Sequence, residues 1–296
     1  MSLPRTETIN SSSSSNLETA ENADSVSWRI NHSEVTITSQ IGTGNFASVY
    51  KGNWRGKDVA VKKIRVTTEK HRVENNEKNI MVLLTKLGAP NVVKLHGYNI
   101  ISSVYTLVME YMPNGSLADL IDQKRLPPGW QFCTDVMRNI SSSIVFMHVN
   151  NIIHRDIKTP NIVFDVNMQA KLCDFGLAKF IDDKIQFVGT VEYLAPEITR
   201  EPHSKKSDVF SLSVTLWEIV AGRNPYASLK VNEIYDYVDS GYRERVPREC
   251  PPGLAHLITW GWTKNPGTRP TARQFLDELN KENIIKLSGP GETRGR

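Results

Sequence analysis

The clearest periodic signal is the alternation Val59-Ala60-Val61-Lys62, which puts Ala60 and Lys62 on one face of a strand and the two valines on the other. Before it, Ile41-Gly42-Thr43-Gly44-Asn45-Phe46-Ala47-Ser48-Val49 reads as strand, tight glycine turn, strand, and residues 53–57 as a second turn. The period then changes. Ile80, Leu83, Leu84 and Leu87 fall on one side of a helix that runs into Pro90-Asn91. Residues 104–110 predict another strand. Ile162-Val163-Phe164 is a short apolar run, residues 165–168 carry turn chemistry, and residues 170–173 run back, which predicts a hairpin. The longest apolar run, 209–221, predicts a helix; two serines, Thr215 and Glu218 interrupt it, so it cannot span a bilayer. Order is expected from Trp28 to about residue 285. Residues 1–27, with Ser11 to Ser15, read as a disordered leader or a regulatory segment, and 286–296 as a disordered tail.

Composition narrows the class. Of 296 residues, 39% are apolar and 23% charged, the balance of a soluble globular chain long enough for one large domain or two modest lobes. A net charge of +4 is small for this length and implies neither nucleic-acid nor membrane binding. Cys133, Cys173 and Cys250 are odd in number and scattered, as expected of reduced thiols in a cytoplasmic protein. No charged-then-apolar signal peptide opens the chain.

The hairpin brings chemistry together. Asn161 starts its first strand and Asp174 follows its second, so both side chains emerge at one end. A carboxylate and an amide oxygen there form a hard-oxygen site suited to Mg²⁺. Asp156 is placed to accept a proton from an incoming hydroxyl, and Lys158 to neutralise a transferring phosphate. Gly42 and Gly44 let backbone N–H groups close over phosphates. A dinucleotide fold would need a third glycine opening a helix, but position 47 is alanine and a strand follows.

These residues stand in a known order. His154-Arg155-Asp156-Ile157-Lys158-Thr159-Pro160-Asn161, Asp174-Phe175-Gly176 and Ala195-Pro196-Glu197 resemble the H-R-D-x-K-x-x-N, D-F-G and A-P-E motifs of the eukaryotic protein-kinase family. The resemblance covers about residues 28 to 283. It implies a bilobal α+β fold: an N-lobe over 28–109 with a small antiparallel sheet and one helix, a hinge over 110–115, and a mainly helical C-lobe over 116–285. It further implies ATP in the cleft. The glycine loop from Ile41 to Val49 would cover the nucleotide, with Ala47 in place of the third glycine. Ala60 would leave room for adenine, and Lys62 would reach the α- and β-phosphates. Met109 would be the gatekeeper, the backbones of Glu110 and Met112 would meet the adenine edge, and Asp119 is a candidate for the ribose. Asn161 and Asp174 would hold Mg²⁺. Asp208 is either a helix cap or the anchor of the catalytic loop, and Arg269 would pair with Glu197.

Two places depart from the family's pattern. Counting back from Pro90 puts Ile80 where relatives carry the glutamate that holds the strand lysine. Glu77, one turn earlier on the same face, is the salt-bridge candidate for Lys62, Glu74 a weaker one, and a surface role for Glu77 the alternative. Many relatives also hold the activation segment by a phosphate on the arginine beside the catalytic aspartate, here Arg155. Residues 177–188 contain no Ser, Thr or Tyr. Asp182 and Asp183 are therefore the candidates to offer Arg155 a permanent carboxylate, against an exposed acidic turn as the alternative. Thr190 and Tyr193 fall nearer the substrate-binding end.

The resemblance implies a protein kinase that transfers the γ-phosphoryl of Mg·ATP to Ser/Thr hydroxyls of protein substrates in intracellular signalling. Lys158-Thr159 and Gly189-Thr190 resemble serine/threonine-specific members. Trp54-Arg55-Gly56-Lys57-Asp58-Val59 and Trp217-Glu218 resemble the tyrosine-kinase-like group. Control by a regulatory protein or a homodimer is expected. The rivals are a pseudokinase scaffold and a dual-specificity or tyrosine kinase. A small-molecule kinase fits less well, because Ala195-Pro196-Glu197 and Arg269 belong to protein-substrate architecture.

Overall fold

The computed structural model describes residues 28–44, 47–65, 71–101, 104–182, 184 and 186–287. The expected leader 1–27, Asn45, Phe46, Asp183, the side chain of Glu74 and residues 288–296 of the expected tail lie outside the described residues. The chain divides into two compact units: residues up to Arg65 with His96–Met109, and Val66–Leu95 with Glu110–Arg296.

The first unit is a sheet. Strands β1 (Val35–Thr43), β2 (Ala47–Trp54) and β3 (Lys57–Arg65) are antiparallel neighbours. With β4 (Leu95–Ile101) and β5 (Val104–Glu110) they form a five-stranded sheet of order β1-β2-β3-β5-β4. Strands flank the glycine segment as expected, with Thr43 opposite Ser48 and the Gly44 N–H donating to the Ala47 carbonyl at 2.8 Å. Two residues, Arg55 and Gly56, join β2 to β3; both have positive φ (52° and 80°), the geometry whose twist matches a hairpin.

Alternation in β3 decides its register. Val59 and Val61 are fully buried and pack with Ile30 and Val108. Burying each valine stabilises the unit by about 1.5–3 kcal/mol, and a one-residue slip would turn both outward. Ala60 is buried and Lys62 half-buried on the other face. At the start of the described residues, the Trp28 carbonyl accepts from Tyr98 N at 2.9 Å, and Ile30 N donates to the Tyr98 carbonyl at 2.9 Å.

The second unit is mainly helical. Its elements are α1 (His71–Lys86), α2 (Leu117–Asp122), α3 (Trp130–Val149), the short strands β6 (Ile152–Ile153), β7 (Ile162–Phe164), β8 (Ala170–Leu172) and β9 (Lys179–Phe180), then α4 (Lys205–Ala221), α5 (Val231–Asp239), α6 (Pro252–Gly261) and α7 (Ala272–Leu279). Residues 66–95, expected with the sheet, cluster instead with this unit. Asn76 of α1 bonds the Ala178 carbonyl, Val93 N donates to the Leu172 carbonyl at 3.0 Å, and the Ser143 hydroxyl to that of Asn91 at 2.9 Å.

Helix α4 is the axis of this unit. Every residue from Ser207 to Ile219 is buried, as a helix apolar on all sides must be. Ser204 caps its start by accepting from Lys206 N, Ser207 returns a bond to the cap, and Gly222 ends it in the left-handed region at φ 62°. Helix α3 packs on α7, and α4 on α6. Among the described residues no helix is long and apolar enough to cross a membrane.

Candidate active site

The predicted hairpin forms with Ile162 opposite Leu172, Val163 opposite Lys171 and Phe164 opposite Ala170. Asp165 closes its turn by accepting from Asn167 N and Gln169 N, each at 2.9 Å. Cys173 N donates to the Asn161 carbonyl at 2.9 Å, so Asn161 and Asp174 flank one end of the ladder. Residues 110–115 dock on the same hairpin: Phe164 N donates to Gly115 O at 3.0 Å, and Lys171 pairs with the Glu110 carboxylate.

The loop at His154 and Arg155 hangs from α4. Ser204 is the helix cap, which settles the alternatives for Asp208: one turn inside the helix, its carboxylate accepts from His154 N and Arg155 N, each at 2.9 Å. His148 Nε2 lies 2.9 Å from the same carboxylate. Burial alone would raise the Asp208 pKa, but the His148 and backbone bonds outweigh it and hold the group below its ordinary value. Arg155 is thereby fixed at φ 68°, a strained backbone for a side-chain-bearing residue. His154 is fully buried, edge-on to Phe175 at 5.2 Å, and burial pushes its pKa down.

Asp156, Lys158, Asn161 and Thr190 form one polar cluster. Asp156 Oδ1 accepts from the Thr190 hydroxyl at 2.7 Å, and Oδ2 lies 2.9 Å from Lys158 Nζ and 3.0 Å from Asn161 Nδ2. Lys158 Nζ also donates to Thr190 Oγ1 at 2.7 Å. A carboxylate held from three sides cannot swing, which is the preorganisation that proton transfer in a fixed geometry requires. Thr190, expected nearer the substrate-binding end, bonds directly to Asp156 and Lys158. Gly189 makes its approach possible: at φ 116°, a Cβ would stand 2.8 Å from the Arg155 carbonyl oxygen. Beside Lys158 and Thr190 opens a cavity of about 350 Å³, lined also by Pro225, Leu229 and Ile234.

Asn161 commits its NH₂ group to Asp156 and keeps Oδ1 as an acceptor. Asp174, in the left-handed region at φ 59°, is exposed. Two hard oxygen donors at one end of a hairpin fit Mg²⁺, which fills its remaining positions with waters and phosphate oxygens. Among the described residues no three His, Cys, Asp or Glu side chains gather into a metal cluster, and a site shared with phosphates does not need one.

Glu77 is buried at 4% exposure, so the surface alternative for it fails. A Cβ on Gly176 would lie 3.5 Å from Glu77 Oε2 and 3.3 Å from Asp174 Oδ1, which sets both carboxylates around that glycine. Ile80, three residues on, is fully buried.

Of the two carboxylates expected to meet Arg155, Asp183 lies outside the described residues and Asp182 forms no hydrogen bond with it. Arg155 donates from Nε to the Leu177 carbonyl at 2.6 Å and from Nη1 to Gln186 Oε1 at 2.8 Å. Asp182 acts on Arg155 only through its field; its hydrogen bonds come from Lys179 and Lys184 N, and Lys179 holds its pKa below the usual range. Burial draws the Arg155 guanidinium down from its ordinary value, against the pull of Asp182 and Asp208.

Two further residues sit apart from their expected roles or were not foreseen. Asp119 is not free to seek a ribose: it accepts from Ser116 N at 2.8 Å and Ser116 Oγ at 2.7 Å, completing the capping box of α2. Glu218, fully buried in α4, accepts from Tyr193 OH at 2.6 Å and Thr159 Oγ1 at 3.0 Å, joining the catalytic loop to the A-P-E end of the segment. Its interruption of an apolar run was the available signal. At that end Arg269 meets Glu197 through two bonds of 2.7 Å, as expected. In the first unit, the residues expected at the nucleotide are Ile41 to Gly44 and Ala47 to Val49 on β1, β2 and their turn, Ala60 and Lys62 on β3, and Met109 on β5.

Residues 35–279 match the family model described as protein tyrosine and serine/threonine kinase. A probable serine/threonine-protein kinase of Dictyostelium discoideum is 34% identical over 264 residues, 85% of this chain and 20% of that protein. Mitogen-activated protein kinase kinase kinase 13 of Homo sapiens is 33% identical over 272 residues, 90% of this chain and 27% of that protein. Mitogen-activated protein kinase kinase kinase 12 of Rattus norvegicus is 33% identical over 274 residues, 90% of this chain and 29% of that protein. The chain thus spans less than a third of the length of these curated relatives.

Proposed function

The chain belongs to the protein tyrosine and serine/threonine kinase family, and from that premise we propose that it transfers the γ-phosphoryl group of Mg·ATP to serine and threonine hydroxyls of protein substrates. The observation that carries this reading is the cluster of Asp156, Lys158, Asn161 and Thr190. Asp156 takes the acceptor hydroxyl's proton as the oxygen attacks phosphorus. Lys158 neutralises charge on the group in transit, and Thr190 fixes the distance between that base and that cation. Asn161 Oδ1 and Asp174 would hold Mg²⁺, which supplies charge neutralisation at the phosphates.

On the nucleotide side, the glycine turn, Ala60, Lys62, Met109 and the backbones of Glu110 and Met112 are assigned to ATP. The Glu110 side chain is engaged by Lys171 and its N–H by the Lys94 carbonyl, so its own carbonyl is the group available to an adenine edge. Glu77 is assigned as the carboxylate on which Lys62 depends in turnover. The cavity beside Lys158 and Thr190 supports a polypeptide substrate, because an extended chain whose hydroxyl reaches Asp156 needs room for its neighbours. Membership of the tyrosine-kinase-like group, a cytoplasmic location and control by a regulatory protein or homodimer complete the reading. Incubation with Mg·ATP and a generic protein substrate, followed by phosphoamino-acid analysis, tests it. Phosphoserine or phosphothreonine that Asp156→Asn abolishes is expected; phosphotyrosine alone, or no transfer, would overturn it.

A further inference from the structure

We propose that Gln186 is a positioning residue: by holding Arg155, its side-chain amide sets Thr190 against Asp156 and orders the activation segment without phosphate. The inference rests on the proposed kinase activity for its catalytic consequence, though not for its structural one. Arg155 binds both ends of the segment with one guanidinium, Leu177 O at its start and Gln186 Oε1 near its end. Three residues after Gln186 the chain runs hard against the Arg155 backbone at Gly189, and the next residue is Thr190, bonded to Asp156 and Lys158. Arg155, Gly189 and Thr190 therefore form one continuous path from the amide to the base.

Among the described residues, the carboxylates nearest the clamp are committed elsewhere. Asp208 bonds the Arg155 N–H, and Asp182 is taken by Lys179. The buried His203 ring stands beside the backbone of Gln186 and Val188, and burial with the nearby Arg155 charge lowers its pKa. Phe187 adds an edge-on contact to Tyr235 of α5 at 6.1 Å. Between Gly176 and Gly189 the sequence has no hydroxyl to phosphorylate, so a neutral amide is the acceptor that Arg155 receives. An amide supplies geometry without charge, which makes the clamp permanent in composition but modest in strength.

The experiment compares wild type with Gln186→Ala, Gln186→Glu, Arg155→Ala and the Arg155→Ala/Gln186→Ala pair. It measures kcat and KM for Mg·ATP and a peptide, together with amide hydrogen exchange over residues 186–193. Gln186→Ala should lower kcat about ten-fold and leave KM for ATP within about two-fold, because it misplaces the base without touching the nucleotide. Gln186→Glu should restore the rate, its carboxylate making a charge-assisted bond to the same guanidinium. The double variant should be no slower than Arg155→Ala, and exchange should rise in Gln186→Ala and fall back in Gln186→Glu. A wild-type kcat in Gln186→Ala, multiplied losses in the double variant, or unchanged exchange would overturn the proposal. Wild-type protein without phosphotransfer would count against the proposed activity, and the exchange result would then decide the clamp by itself.

Discussion

Arg269 and Arg155 face the same problem, a guanidinium drawn out of water, and meet it in opposite ways. Arg269 is 2% exposed and forms a two-pronged pair with Glu197, itself 7% exposed. Its remaining N–H groups go to the carbonyls of Thr263, Lys206 and Lys264. That is a planar donor fork with every prong met and its charge cancelled. Arg155, among the described residues, gives its guanidinium bonds to a carbonyl and an amide. The first arrangement fixes the far end of the segment for good. The second holds the stretch from Leu177 to Gln186 by neutral acceptors, so it is the easier of the two to release.

The largest effect follows from removing one side of the full pair. Arg269→Ala leaves Glu197 buried and uncompensated, which should cost about 3–5 kcal/mol of stability. At roughly 2–4 °C per kcal/mol for a chain of this size, thermal unfolding should report a clear fall in Tm. Arg155→Ala should shift Tm far less while lowering kcat. Equal losses of Tm at the two positions would erase the distinction between them.

Charges that serve chemistry should behave in the reverse sense. Asp156→Asn, Asp174→Asn and Lys62→Met are expected to lower phosphotransfer by about 10²–10⁴-fold with Tm nearly intact. Asp156→Asn should weaken ATP binding least, since its work is on the acceptor hydroxyl. Near-normal turnover in any of the three would remove that residue from the machinery.

Local pattern carried much of this into view. The alternation at Val59 to Lys62 predicted a face that the buried valines bear out, and the run at Ile162 to Phe164 with its turn predicted the hairpin. Glu197 and Arg269, 72 positions apart, were legible through motif order alone. What stayed hidden depends on the path of a loop. Thr190 returns to Asp156 from 34 residues away, and Gln186 reaches Arg155 across 31; no periodicity encodes either. Asp119 shows the opposite failure. Its place three residues after Ser116 was a legible cap signal, and the ribose reading passed over it.

Another buried carboxylate sharpens the contrast between paired and unpaired charge. Glu197 has a guanidinium, whereas Glu218 has the hydroxyls of Tyr193 and Thr159. Burial dominates over those two bonds and pushes the Glu218 pKa from 4.5 up to about 7. The folded protein therefore holds this proton more tightly than the unfolded chain does. Its contribution to stability is complete below about pH 4.5 and is lost as pH rises through about 7, amounting to about 3 kcal/mol. Glu218→Gln removes that dependence. Denaturant unfolding of both proteins from acid to neutral pH should show wild type losing ground to the variant across that window. Parallel stability curves would mean that the carboxylate titrates normally.

The smallest expected effect belongs to Glu77, a buried carboxylate whose value should lie in turnover rather than in the fold. It faces Gly176, one turn before the buried Ile80 on the same helix. Glu77→Gln keeps the size and loses the charge, so Tm should hold while kcat/KM for Mg·ATP falls several-fold, about 1 kcal/mol in the barrier. The dependence of Lys62 on this carboxylate makes a sharper demand. If both residues act in one step, Lys62→Met/Glu77→Gln should be no slower than Lys62→Met alone, because the second change removes something already lost. Losses that multiply would separate the two residues and return Glu77 to a purely local role beside the D-F-G glycine, a carboxylate kept for packing and polarity as Glu197 is kept for its arginine.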